Sequence, residues 1–250
     1  MPTTRFLIAC QPRTGSNWLC AMLQSHPRIL CHHEVFHPDE IYYAMGHRDG
    51  RLAHLGSARE RDADPLGFLE RLWQEDCGRS AVGVKVLGDQ VPTVLARLLA
   101  DSGVRKVVLR RQSRLRAYVS LLRARASGFW ARRSYDGLAV QVDAPELLEF
   151  ARRYDAYYSG LRAATRSQPA LEIVYEELQR DPRVLARLLE FLGVDSDGVE
   201  LGAHMPRQSS DSLRQAIRNF DELARALRGS ALEPELAEAA VARQQSRSAS

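Results

Sequence analysis

The sequence predicts an α/β fold with a mainly parallel sheet and helices on both faces, in a three-layer arrangement. Two observations lead to this fold class. Short apolar runs alternate with helical patterns along the chain, which is typical of parallel strands joined by right-handed crossovers. The chain also has 250 residues, 45% of them hydrophobic, which is enough for one sizeable core. We therefore expect a single domain over residues 1–250.

The predicted elements follow in order along the chain. Apolar runs predict strands near 5–10, 81–86, 104–109 and 170–175. Helical patterns follow these strands near 16–25, 91–100, 113–127 and 181–192. A longer amphipathic helix is predicted from Pro145 to Thr165, and Asp181 with Pro182 forms a favourable helix start. The carboxyl ends of the strands are the expected ligand side of such a sheet.

The first strand leads into a loop that suits an anion. Residues 6–23 read FLIACQPRTGSNWLCAML, an apolar strand, a loop from Gln11 to Asn17 and a helix. Such a junction directs backbone N–H groups and a helix dipole at one point, and Gly15 permits close approach. A nucleoside-triphosphate loop reads G-x-x-x-x-G-K-[ST], whereas here the first glycine is missing and Arg13 precedes Gly15. The loop therefore predicts a P-loop-like phosphate site and disfavours an ordinary ATP or GTP enzyme, although an isolated turn of this kind also fits a simple helix cap.

Positive charge is concentrated in residues 102–135. The whole chain carries a net charge of +4, but this segment holds ten basic residues and no acidic one. Arg111 follows a predicted strand, and Ser120 falls about two turns into the next helix, so both side chains can meet one anion. A solvated helix face and a nucleic-acid patch are the alternatives. Apart from Tyr118, the segment has no aromatic residue before Phe129 and Trp130, so we expect no specific nucleic-acid binding.

Two anion sites at successive strand-to-helix junctions suit a nucleoside with phosphates on both sides. At this point the chain resembles the PAPS-dependent sulfotransferases, most closely their bacterial trehalose sulfotransferase-like branch. The resemblance rests on five blocks in the same order: QPRTGSNWL, HHEVFHP, AVGVKVLGDQVPTVLARL, LRRQSRLRAYVSLLRARASGFW and IVYEELQRDPRVLARLLEFLGV. Together they cover about residues 5–220.

The resemblance implies roles for individual residues. The 5′-phosphosulfate of PAPS is assigned to the loop residues Arg13, Thr14, Gly15, Ser16 and Asn17. The 3′-phosphate is assigned to Arg111 and Ser120, whose spacing of nine residues agrees with that branch but not with the broader family, which leaves Arg110 as an alternative ligand. Arg207 and Gln208 resemble the late segment that closes over the nucleotide.

The implied reaction is sulfuryl transfer from PAPS to a hydroxyl of a carbohydrate or glycolipid-like acceptor, with no metal. Glu34 stands where the branch has its catalytic base, and Lys85 is a second cation near the transferred group. Charge that builds on the departing phosphate would be stabilised by Arg13 and Lys85. The plainer alternative is that Glu34 only pairs with nearby arginines.

Other functions fit parts of the same sequence. His33 to His37 matches H-E-x-x-H, which binds zinc on a helix, but Pro38 restricts His37 and opposes a continuous helical turn. A nucleotide-dependent kinase is the second reading, disfavoured by the missing lysine of the loop. A non-catalytic nucleotide or nucleic-acid binding module is the third, disfavoured by the segment around Glu34.

The remaining expectations concern location and mobile segments. The chain starts without a signal peptide, no apolar run approaches the length of a membrane span, and the four cysteines form no C-x-x-C pair, so we expect a cytoplasmic protein. Because family members can be dimers, a homodimer is allowed but no interface is indicated. Residues 39–64 are expected to form a mobile acceptor loop, and residues 244–250 a disordered tail.

Overall fold

The computed structural model describes residues 3–88, 90–130, 134–195, 201–202 and 212–236. The chain divides into two compact units, one of residues 1–110 and 158–204 and one of residues 111–157 and 205–250. Each unit has its own hydrophobic core. The organisation of residues 1–250 as one domain stays a prediction.

The first unit is built on a five-stranded sheet in the order β2-β3-β1-β4-β5, and all its neighbouring strands are parallel. The strands are β1 (Thr4–Cys10), β2 (Ile29–His32), β3 (Ala81–Leu87), β4 (Val104–Arg110) and β5 (Ala170–Val174). β1 lies in the centre of the sheet and is buried from Phe6 to Cys10, which explains its continuous apolar run. The α/β fold class with a parallel sheet is therefore confirmed.

Ten helices accompany the strands within the described part of the chain. They are α1 (Ser16–Gln24), α2 (Ala58–Ala63), α3 (Pro65–Gln74), α4 (Pro92–Ala100), α5 (Arg114–Ser127), α6 (Ala144–Thr165), α7 (Tyr175–Arg180), α8 (Pro182–Leu192), α9 (Leu213–Ala216) and α10 (Phe220–Ala226). The predicted start of α8 is confirmed, because the Asp181 side chain accepts a hydrogen bond from the Arg183 N–H and Pro182 occupies the first turn.

The core of the first unit lies between the sheet and helices α1, α7 and α8. From the sheet, Ile8 and Leu109 contribute side chains with no exposed surface, and from α8, Leu188 is equally buried. The helix α8 is strongly amphipathic, with Val184, Leu188, Leu189 and Leu192 buried and charged residues between them. This packing fixes the strand ends that carry the candidate site.

The second unit is helical and has a separate core. Leu115 and Val119 of α5 pack in this cluster with Leu147 of α6. A short parallel bridge joins Val140 to Ile217, with the Val140 N–H donating to the Ala216 carbonyl at 2.9 Å. The bridge connects the chain before α6 to the chain after α9.

The segment 39–64, predicted as a mobile acceptor loop, has local structure. It contains 3₁₀ turns at Met45–His47 and Ala53–Leu55 and ends with the helix α2. Leu52 and Leu55 are buried. Its mobility stays a prediction, and the predicted tail 244–250 lies outside the described residues.

Helices that could cross a membrane are absent from the described ranges, since none combines sufficient length with sufficient hydropathy.

Candidate active site

The loop after β1 has the backbone shape of an anion site. Arg13 and Gly15 both have left-handed backbone angles, with φ of 68° and 82°. The Thr14 hydroxyl, which is buried, donates to the Gln11 carbonyl at 2.9 Å and closes the turn. The first turn of α1 begins at Ser16 with no hydrogen bond from a described side chain to its N-cap end. Backbone N–H groups at this helix start can therefore bind an anion.

Two tyrosines hold the loop from neighbouring elements. The Tyr158 hydroxyl accepts a hydrogen bond from the Gln11 N–H at 3.0 Å and donates to the Leu109 carbonyl at 2.8 Å. The ring of Tyr175 lies against Gly15, where a Cβ atom would come within 2.2 Å of the ring carbon Cδ2. Any residue with a side chain at position 15 would collide with this ring as well as strain the backbone. The loop is thus fixed before any ligand arrives, which suits a preorganised anion site.

Glu34 meets a buried lysine. Lys85 lies in β3, is 1% exposed, and places its Nζ 2.8 Å from Glu34 Oε1. The same ammonium donates to Asn17 Oδ1 at 2.5 Å, at the start of α1. Gln90 Nε2 donates to Glu34 Oε2 at 2.9 Å. Lys85 therefore contacts two other sequence-predicted residues, Glu34 and Asn17.

Glu34 and Lys85 each shift the pKa of the other. Burial on its own would raise the pKa of Glu34, but the positive charge of Lys85 and hydrogen bonds from Lys85 and Gln90 outweigh it, so the pKa lies below its ordinary value. Burial on its own would lower the pKa of Lys85, yet the neighbouring Cys20 and Glu34 raise it above its ordinary value. Both groups are consequently charged at neutral pH.

The segment that follows β2 is a turn rather than a helix. Residues 33–38 have no helical structure, as Pro38 predicts. The side chain of His37 accepts from the Asp39 N–H at 3.2 Å, and His33 Nδ1 lies 3.4 Å from Asn17 Oδ1. The helical pair of imidazoles that the zinc interpretation needs is therefore not formed here. Within the described ranges, no group of three or more histidine, cysteine or acidic side chains is arranged for a metal ion.

Among the described residues, the ionic partner of Glu34 is Lys85 and not an arginine, contrary to the plainer alternative for this residue. Its side chain is 19% exposed, so Glu34 is not sealed from solvent. A charged carboxylate that is held in place and partly exposed is suited to accept a proton.

Arg111 and Ser120 belong to the second unit. The Arg111 N–H donates to the Tyr154 hydroxyl at 2.8 Å, and that hydroxyl donates back to the Arg111 carbonyl at 3.0 Å. Tyr154 thus fixes the backbone from which the Arg111 side chain extends. Ser120 lies in α5, two turns into a helix whose start is capped by Ser113. Both side chains are half-buried.

The preceding arginine, Arg110, has a different environment in the first unit. Its Nε bonds Glu172 Oε1 at 2.5 Å, and Arg162 Nε bonds the other carboxylate oxygen of Glu172 at 2.8 Å. The charge of Arg110 is therefore engaged by a residue of β5. Arg207 and Gln208 lie outside the described residues.

One buried charged residue was not indicated by the sequence patterns. Arg61 of α2 is 1% exposed and donates to backbone carbonyls of the segment after Glu34. Its segment is polar and weakly periodic, so no pattern distinguishes it from the 33 arginines of the chain. Lys85, in contrast, carries a signal, because the chain has only two lysines and both interrupt apolar strands.

The chain is similar to known proteins both in sequence and in fold. The chain is 29% identical over 237 residues to Nodulation protein H of Rhizobium tropici, a match that covers 90% of this chain and 89% of that protein. Its fold is similar to that of the sulfotransferase from Alicyclobacillus acidocaldarius, with a TM-score of 0.51, 20% identity and coverage of 94% and 96% of the two chains. The sulfotransferase domain from the curacin biosynthetic pathway gives the same TM-score of 0.51 at 16% identity, covering 89% of this chain and 86% of that domain.

No family model matches the chain. The fold comparison nevertheless spans nearly all of this chain and nearly all of a sulfotransferase. The chain therefore has the sulfotransferase fold, which confirms the resemblance that its motifs predicted.

Proposed function

We propose that the protein is a sulfotransferase that moves a sulfuryl group from PAPS to a hydroxyl of a carbohydrate or glycolipid-like acceptor. The contact of Glu34 with Lys85 carries this proposal. It joins a candidate base to a buried cation, and that cation also bonds Asn17 at the start of α1. Proton acceptance and charge stabilisation are the two demands of sulfuryl transfer, and both are met beside the anion loop.

The loop supports the proposed donor by its fit. The collision that any Cβ at Gly15 would have with Tyr175 leaves room there only for backbone, and backbone N–H groups are the usual ligands of a phosphate at a helix start. Arg13, Thr14, Gly15, Ser16 and Asn17 are accordingly proposed to bind the 5′-phosphosulfate. Bound PAPS would supply the activated sulfuryl group.

Arg111 is proposed as the 3′-phosphate ligand together with Ser120. The pairing of Arg110 with Glu172 supports this choice between the two neighbouring arginines, because Arg110 would have to leave a carboxylate that also bonds Arg162. Arg207 keeps its proposed role in closing over the nucleotide.

The residues act in a defined order in this proposal. Glu34 accepts the proton of the acceptor hydroxyl, for which it must be ionised, and its lowered pKa meets that condition at neutral pH. Lys85 and Arg13 stabilise the negative charge that develops on the leaving phosphate. A small-molecule or glycan acceptor and a cytoplasmic location complete the proposal, which allows a homodimer without requiring one.

Binding of PAP and of adenosine 5′-phosphate, measured by calorimetric titration and by thermal melting, tests the proposed donor. PAP at a hundredfold excess over its Kd should stabilise the fold by about 2.7 kcal/mol, and adenosine 5′-phosphate should do much less. Arg111→Ala should weaken PAP at least tenfold and leave adenosine 5′-phosphate nearly unchanged, because only PAP carries the 3′-phosphate. Arg125→Ala, at an exposed arginine of α5, the helix that carries Ser120, is the matched control.

Two results would contradict the proposed function. Equal melting shifts by PAP and adenosine 5′-phosphate would refute the 3′-phosphate site. Tighter binding of ATP than of PAP, with phosphate transfer to an alcohol, would replace the sulfotransferase by the kinase.

A further inference from the structure

A buried arginine organises the backbone that follows Glu34. Nη1 of Arg61 donates to the carbonyl oxygens of Val35 at 2.8 Å, His37 at 2.8 Å and Glu40 at 3.2 Å. These three carbonyls belong to a stretch without helix or strand, so no regular ladder supports them. The Arg61 guanidinium therefore holds three carbonyls of this stretch around a single nitrogen atom.

The burial of Arg61 needs a reason, because a guanidinium without partners is costly to bury. Its Nε and Nη2 bond Asp62 Oδ1 at 2.8 and 2.7 Å, which supplies the opposite charge. The planar fork therefore serves a carboxylate on one side and carbonyls on the other. A lysine ammonium, a single point of charge, cannot serve both at the same time.

Both ends of this arrangement are anchored. The helix α2 begins with a capping box in which the Ser57 and Glu60 side chains bond each other's backbone N–H. On the other side, the His33 carbonyl accepts from the Lys85 N–H of β3 at 3.3 Å, and the Glu34 carbonyl accepts from the His37 N–H at 3.1 Å. Glu34 is therefore the residue at which the chain leaves the sheet and enters the stretch that Arg61 holds.

We propose that Arg61 is the positioning residue for Glu34: by holding the carbonyls of Val35, His37 and Glu40 it keeps the carboxylate against Lys85 and Gln90. The inference rests on the proposed role of Glu34 as the base, but the geometry itself does not depend on turnover. The titratable and charged groups that face Glu34 are Lys85 of β3, Cys20 of α1, and His37 and Tyr42 of its own segment.

A titration of Glu34 by carbon-13 NMR of its carboxyl group tests the proposal in the full chain, with the signal assigned by its loss in Glu34→Gln. In Arg61→Ala the carboxylate loses its hold on Lys85 but stays partly buried, so its pKa should rise by about one pH unit. Arg61→Lys should give a smaller rise. Arg59→Ala, an exposed arginine of the same helix, should give none.

Activity supplies the second readout. The kcat of Arg61→Ala should fall about tenfold or more, since a base displaced by about an ångström loses most of its effect. The Kd of PAP should stay within about twofold, because the contacts of Arg61 are with residues 35–40 and Asp62 and not with the anion loop. The acid limb of the pH profile should move upward together with the NMR midpoint.

Each other outcome contradicts one of the two proposals. A folded Arg61→Ala or Arg61→Lys with an unmoved Glu34 midpoint would overturn the positioning role, even in an active enzyme. Loss of the fold in both variants would overturn it too, because Arg61 would then support the whole unit. A raised midpoint in a protein that transfers no sulfuryl group would support Arg61 and refute the proposed function.

Discussion

At the scale of single residues, the contact between Glu34 and Lys85 determines the pH response. Burial favours the neutral carboxyl, whereas the ammonium at 2.8 Å and the amide of Gln90 favour the carboxylate and prevail. Because the pKa of Glu34 in the folded protein lies below its ordinary value of 4.5, the carboxyl group is still mostly ionised at pH 4.5, where an unperturbed glutamate is half protonated. Its contribution to activity and to stability is then lost only as the pH falls through the lowered pKa.

The first residue prediction concerns Glu34→Gln. The amide keeps a similar shape but cannot accept the acceptor's proton, so turnover should fall by about 10²–10⁴. The Kd of PAP should stay nearly unchanged. The measurement is the rate of transfer from radiolabelled PAPS to an acceptor panel, with PAP binding by calorimetry on the same sample.

His37→Ala is the control for this prediction. His37 bonds the backbone N–H of Asp39 and packs against Tyr42, so its loss should change turnover only mildly. Stoichiometric zinc in the purified protein, lost together with activity in His37→Ala, would instead restore the metal interpretation. A Glu34→Gln enzyme of full activity would remove the base from the mechanism.

At the scale of elements, the turn between β1 and α1 depends on Gly15. Gly15→Ala introduces a Cβ at 2.2 Å from the Tyr175 ring on a backbone with φ of 82°. We expect a loss of about 1–3 kcal/mol in the free energy of unfolding, as for other strained left-handed positions. PAP affinity should fall at least tenfold, because the loop must shift away from the ring.

Gly160→Ala is the matched control within α6. No atom lies within 4 Å of a Cβ built there, and the residue is exposed in a helix interior. Alanine should stabilise the protein by about 0.5–1 kcal/mol and leave PAP binding unchanged. Chemical denaturation measures both effects. Equal unfolding free energies for the two variants would contradict the close approach at Gly15.

The strands formed by long apolar runs could be predicted from the sequence, whereas the short strand β2 could not. The four strands of five to seven residues were predicted within one or two positions, but β2 was missed because it has only four residues, ends in a histidine and lies between His26-Pro27 and His33. Strand order is a tertiary property, so the adjacency of β2 and β3 that brings Glu34 to Lys85 could not be derived from either segment. The helices α2, α3 and α7 were likewise missed, two of them because they have six residues.

Side-chain partners were less predictable than elements. Arg13, Asn17 and Lys85 were indicated by their places at the end of a predicted strand or at the start of the following helix, whereas Glu34 was indicated by the family resemblance of its segment. The use of Arg61 was hidden, because burial of an arginine depends on carbonyl groups that its own segment does not reveal. Because every residue has a backbone carbonyl, the sequence does not show which carbonyls will accept a hydrogen bond.

At the scale of the whole molecule, several basic side chains in the described part of the segment 102–135 are occupied by internal contacts. Arg110 bonds Glu172, while Arg123 and Lys106 are buried. With a net charge of only +4, we expect binding to random DNA with a Kd above about 10⁻⁵ M at physiological salt and a steep salt dependence. Fluorescence anisotropy with a labelled duplex measures it. Nanomolar binding to a defined sequence would promote the nucleic-acid module over the enzyme.

The central place of β1 has a consequence for biosynthesis. Its neighbours β3 and β4 start at residues 81 and 104, so the strand is made long before either partner exists. At translation rates of about 5–20 residues per second, a delay of roughly 5–20 s separates β1 from the completion of β4. Throughout that interval the nascent chain presents Phe6, Leu7 and Ile8 without their sheet, which makes this stretch the natural point for a chaperone to bind before the sheet closes.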